Sequence, residues 1–225
     1  MIAALDFPVW HGLTGPQAHL ARRHGQALRI VPDYGPFAAA PGDARGDLAG
    51  LLAATDELWL VEPEAFAAPP GTRVIRTAPL VQMVADGPVD RAADDPEIVA
   101  LDEGDAAAMT ALAEATRPGP WGPATRRYGP FYGIRREGRL AAMAGERLRP
   151  AAGLAEVSGV CAWPEFRGQG LAARLIRRVV AGFAARGDQA FLHSYAANAS
   201  AIRLYETLGF RIRRGMVVTV LGAAA

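Results

Sequence analysis

The clearest rhythm in the chain lies in its second half. Leu171, Leu175, Val179 and Phe183 recur every four residues. That spacing predicts a helix over 168–186 with one apolar stripe, and Gly187 supplies its stop. A second helix is predicted over 198–208, capped by Asn198 in front and Gly209 behind. An earlier one is predicted over 105–116, through Met109, Leu112 and Ala113, and Pro118 ends it. Between these helices, short apolar runs predict strands at 97–101, 129–136, 139–147, 155–163, 190–194, 210–213 and 216–221. Glu137 and Gly138 join the second and third strands as a hairpin. Along 155–163, alternation places Glu156, Ser158 and Val160 on one face, and Val157, Gly159 and Cys161 on the other.

The first 95 residues are less regular. Strands are expected at 28–31, 57–61, 74–75 and 80–84, with a short helix over 47–54 that Asp47 caps. The polar stretch 89–96 ends in proline and reads as a linker. The fold class is therefore α/β. A small α/β N-terminal region, 1–95, precedes a regular domain, 96–225.

Composition narrows the function. No run approaches the roughly 20 apolar residues of a membrane helix, and no basic, signal-like segment opens the chain, so a cytoplasmic protein is expected. A single cysteine, Cys161, excludes an internal disulfide and a cysteine-built zinc site. No metal is expected. All 24 basic residues are arginine, so no lysine exists to form a Schiff base. Residues 1–95 hold 7 Arg and 12 Asp or Glu, and residues 96–225 hold 17 Arg and 11 Asp or Glu. The second part thus suits an anionic ligand. Its arginines are interspersed with acids and form no basic run with aromatics, which speaks against nucleic acid.

The segment 163–172 joins a strand to the long helix. Gly168 and Gly170 lack Cβ atoms where a ligand must approach the backbone. The first N–H groups of the helix are unsatisfied within it and carry the positive end of its dipole, which is the chemistry of a phosphate site. A P-loop needs a lysine, and the dinucleotide fingerprint needs three spaced glycines, so neither fits.

Arg167-x-x-Gly170-x-Ala172 resembles the acyl-CoA motif of the GNAT acetyltransferase superfamily. The run from Asn198 through Ala201 and Tyr205 to Gly209-Phe210 resembles its second signature. The likeness covers about 97–222 and implies a mixed central sheet flanked by helices. It also implies direct transfer of an acetyl group from acetyl-CoA to a primary amine of a small molecule or peptide, by a monomer or homodimer. In those terms Arg167, Gly168, Gln169, Gly170, Leu171 and Ala172 hold the pyrophosphate. Val160 and Cys161 pair with the pantetheine arm, and Asn198 touches it. Tyr205 protonates the leaving thiolate. Glu156 is the leading base, with Glu146, His193 and water as alternatives. Trp121 and Tyr132, in and after a Gly–Pro-rich loop, are candidate acceptor contacts. Arg174, Arg177 and Arg178 either meet the 3′-phosphate or form an ordinary solvated face. Cys161 reads as packing, not as a nucleophile. The competing function is an acyl-CoA-binding regulatory module without catalysis.

Overall fold

The computed structural model describes residues 2–53, 56–85 and 95–224. In chain order its strands are β1 Ala21–His24, β2 Ala27–Ile30, β3 Ala38–Ala39, β4 Leu58–Glu62, β5 Thr72–Ala85, β6 Ile98–Leu101, β7 Phe131–Arg136, β8 Arg139–Glu146, β9 Leu154–Ala162, β10 Gln189–Tyr195 and β11 Phe210–Ala223. The α-helices are α1 Pro8–Thr14, α2 Ala106–Thr116, α3 Leu171–Ala185 and α4 Ala199–Thr207. Among the described residues, eight strands form one mixed sheet in the order β4-β11-β5-β10-β9-β8-β7-β6, and β1-β2-β3 form a small antiparallel sheet.

The predicted stripe packs α3 on one face of the large sheet: Leu175 is fully buried and Leu171, Val179 and Phe183 nearly so. They meet Val157, Leu192 and Met83, with Tyr205 and Leu208 around α4. The opposite face carries α2, packed through Met109 and Leu112 on Phe131, Met143 and Cys161. It also carries the N-terminal segment, packed through Leu5, Val9, Ile30 and Phe37 on Phe191, Val84 and Leu154.

Several expectations change. The segment read as a helix over 47–54 is a 3₁₀ stretch, Gly42–Leu51, bent at Ala44. Three glycines in ten residues weaken α-helix there. Asp47 caps nothing in it; its Oδ2 accepts from the Gln26 N–H at 2.7 Å. The two strands read at 74–75 and 80–84 are one strand, β5. Pro79 interrupts the pattern, but it lies just beyond the Leu80–Tyr195 pair that ends the β10 ladder, where a missing N–H costs little. The closing strands are likewise one strand, β11, with a register shift between Ile212 and Arg214. Helix α3 begins at Leu171, because Gly168 and Gly170 hold φ of +77° and +72°, outside right-handed helix.

The linker read at 89–96 falls mostly outside the described residues. Asp95 lies inside them and receives two hydrogen bonds from Arg174, at 2.6 and 2.7 Å. Strand β5, from the first 95 residues, lies between β10 and β11. The N-terminal region therefore supplies an interior strand of the same sheet that carries the second half.

Candidate active site

β9 and β10 run parallel but pair only from Gln189–Leu154 to Phe191–Glu156. Beyond that point β9 continues to Ala162 and β10 to Tyr195 with no ladder between them. A bulge in β9 sets the divergence. Its register against β8 slips between the Met143–Cys161 and Gly145–Ser158 pairs. Gly159 holds φ of +62°, and a Cβ there would stand 2.8 Å from Phe131 Cε1. Only glycine fits this backbone. The slip reverses the expected alternation: Val160 packs with the α3 face, as Val157 does, and Cys161 with the α2 face.

The gap opens into a cavity of about 610 Å³, lined from both faces of the sheet. On the α3 side lie Arg167, Gly168, Gly170, Leu171, Ala172 and Asn198. No side chain caps α3, so its first N–H groups remain free for an anion. A Cβ at Gly168 or Gly170 would meet nothing within 4 Å, so the backbone is open to a ligand there. Gln169 does not line the cavity. Asn198 Oδ1 caps α4, accepting from the Ala201 N–H at 3.2 Å. Arg167 Nε donates to the Ala162 carbonyl at 3.3 Å, tying the loop to the end of β9.

Tyr205 lines the same cavity and is 9% exposed. Its hydroxyl has no hydrogen-bond partner among the described residues. Burial pushes its pKa up to about 12, so it stays a proton donor through the physiological range. Cys161 also reaches the wall, but burial pushes its thiol up to about 12. A thiol held protonated is a poor nucleophile.

Glu156 is fully buried on the opposite face and is not a wall residue. Arg147 grips it twice, Nε to Oε2 at 2.9 Å and Nη2 to Oε1 at 2.8 Å. His193 Nδ1 lies 2.8 Å from the same Oε1. Burial works to raise the Glu156 pKa, but the Arg147 charge and the His193 hydrogen bond outweigh it and hold it at about 2. Such a carboxylate is a poor base. His193 Nε2 stands 3.0 Å from Gln82 Nε2. Gln82 Oε1 accepts from Arg213, and its Nε2 donates to the Leu5 carbonyl. With the amide so placed, Nε2 of His193 faces a donor and Nδ1 faces a carboxylate, so both ring nitrogens are engaged.

The family model described as FR47-like protein matches residues 131–218. No curated protein matches the chain. A solved structure from Novosphingobium aromaticivorans, assigned to the GNAT acetyltransferases, is 65% identical, with 99% of each chain covered and a TM-score of 0.96. The chain belongs to the GNAT family of acetyltransferases. A GCN5-related N-acetyltransferase from Kribbella flavida shares the fold at 22% identity, with a TM-score of 0.63 over 100% of this chain and 96% of that one. A GCN5-related N-acetyltransferase-like protein from Streptococcus suis does so at 17% and 0.60, over 96% and 92%.

In this GNAT acetyltransferase, two expected acceptor contacts lie elsewhere. The loop 116–120 lines the cavity, but Trp121 does not. It packs edge-on against Phe131, with centroids 5.5 Å apart, and donates to Thr110. Tyr132 lies under Arg178, 4.2 Å away, on the α3 face. Glu146 is buried between Arg149 and Arg186, away from the cavity. Arg174 is committed to Asp95 and Glu97. The opposite wall comes from residues the sequence did not mark: Phe37, Trp59, Val61 and Leu80 of the N-terminal region, with Arg147 and Val218. Apolar residues in short strands carry no signal separating wall from core. Among the described residues, no group of His, Cys, Asp and Glu could hold a metal ion. No helix among them is long and apolar enough to cross a membrane.

Proposed function

We propose that this acetyltransferase moves an acetyl group from acetyl-CoA directly to a primary amine, with the two substrates meeting in the gap between β9 and β10. The observation that carries the reading is the unpaired edge of β9. It leads from the open N–H groups of α3 to the free hydroxyl of Tyr205. Those N–H groups, with Gly168 and Gly170, fit a diphosphate, and the β9 edge at Val160 and Cys161 fits an extended amide-bearing arm. Asn198 holds α4, and with it Tyr205, beside that arm.

Tyr205 donates its proton to the departing sulfur. The amine attacks from the opposite face, along the Arg147–His193 wall. Glu156 is saturated, Glu146 is remote, and both nitrogens of His193 are engaged. We therefore assign the amine proton to water, the acceptor entering as free base. Glu156 and His193 are positioning residues that fix Arg147 and β10.

The test is thiol release from acetyl-CoA with a panel of primary amines. Release that depends on the amine supports the reading. CoA binding without release on any amine would leave the non-catalytic binding module as the function.

A further inference from the structure

The cavity has a definite electrostatic character. Its charged lining consists of Arg117, Arg147 and Arg167, and no Asp or Glu lines it among the described residues. A polycationic acceptor, such as a polyamine, would bring charges that meet no counter-charge there.

Arg147 is the charge best placed to choose an acceptor. Two of its three nitrogens are fixed on Glu156. Its Cζ lies 4.7 Å from the centre of the Phe37 ring. The side chain is 12% exposed and lines the cavity. The remaining nitrogen, Nη1, has no hydrogen-bond partner among the described residues and stands 3.6 Å from the Cβ position of Gly119, a residue of the cavity lining. A guanidinium immobilised on two edges, with its third nitrogen open, is a preorganised carboxylate donor. Phe37, Trp59, Val61, Leu80 and Val218 give the same cavity an apolar wall.

We propose that the acceptor is a primary amine bearing a carboxylate on an apolar body, an apolar α-amino acid being its smallest form. Arg147 Nη1 takes the carboxylate, and the aromatic and aliphatic wall takes the side chain. Arg147 and His193 share one oxygen of Glu156. In an α-amino acid the amine lies one carbon from the carboxylate, so anchoring at Nη1 keeps the amine within the same cavity. This inference rests on the acetyl-transfer reading for its chemistry but not for its recognition.

The full chain is assayed for thiol release from acetyl-CoA with phenylalanine, leucine and methionine. Each is set beside its carboxamide and its decarboxylated amine, with spermidine as the cationic comparator. The expected result is a kcat/KM at least tenfold higher for the acids than for their amides or decarboxylated forms. Equal or better use of the amides, the simple amines or spermidine overturns the proposal while leaving acetyl transfer intact. If no amine supports release, the transfer reading fails instead. Calorimetric binding of the same acid–amide pairs to the CoA-loaded chain then decides recognition. Tighter binding of the acids upholds it; equal binding, or none of either, overturns it. Arg147→Lys keeps the charge but not the three-way fork, and should reduce the acid-over-amide ratio to about threefold or less. An unchanged ratio would overturn the role given to Arg147. The wild-type ratio stands on its own if that variant does not fold.

Discussion

Glu156 Oε1 lies 2.8 Å from His193 Nδ1, and the same oxygen accepts from Arg147. One buried carboxylate thus joins the residue that follows β8 to the first part of β9 and to β10, where β9 and β10 part. Its pKa is held at about 2, below the roughly 4.3 of a free glutamate. A depressed carboxylate contributes stability that is present above the unfolded pKa and lost as pH falls through the folded one. Stability should therefore decline from about pH 4.5 toward pH 2. Glu156→Gln should cost roughly 3 kcal/mol at pH 7 by leaving Arg147 unpaired, and should lose less on further acidification. Urea midpoints across pH measure both, and parallel curves for the two proteins would contradict this account.

Tyr205→Phe should reduce kcat by about 100-fold, within the range for a positioned acid. The hydroxyl has no hydrogen-bond partner among the described residues, so its removal should leave the fold and the KM for acetyl-CoA within about twofold. A matched loss in KM would mean that the hydroxyl binds substrate and does not act on the sulfur.

Gly170→Ala places a side chain at φ of +72° in the anion cradle. The left-handed backbone should cost about 1–2 kcal/mol of stability. CoA affinity should fall about tenfold. Acetyl-pantetheine, which has no diphosphate, should be used equally well by variant and wild type. A shared defect with that short donor would argue against a phosphate role for the loop.

With water taking the amine proton, the pH profile should belong to the acceptor. kcat/KM should rise with pH and level off near the acceptor's own amine pKa. Two acceptors differing by about one pKa unit should give profiles displaced by about the same amount. A common inflection for both would point to a protein base.

The sequence was most informative where local signals agree with tertiary position. The stripe Leu171–Leu175–Val179–Phe183 marked α3, Asn198 marked the start of α4, and Glu137-Gly138 marked the hairpin, where both residues take positive φ. It misled where position overrides local pattern. β5 runs half interior and half flanked by β11 alone, so its outer part, 73–75, is exposed while 82–85 is buried. A strand of two environments reads as two strands. Gly159 shows the same limit within the site: a glycine in a strand does not announce a bulge, yet the bulge decides whether Val160 or Cys161 faces α3. The far wall of the cavity escaped for a third reason. Arg147 and His193 come together only through Glu156, and Phe37 and Trp59 arrive from a region whose place in the sheet depends on pairings more than 100 residues apart in sequence.

Those pairings govern the order in which the molecule can assemble. Thr72 pairs with Ala223, and Val84 with Phe191 and Arg211. During synthesis β5 exists for more than 100 residues of elongation without a neighbour on either edge. Long-range closure of this kind is slow and leaves strand edges exposed while it waits. The β9–β10 gap gains its far wall only when the last strand docks, so a chain released without β11 would carry the open N-terminus of α3 but no enclosed cavity.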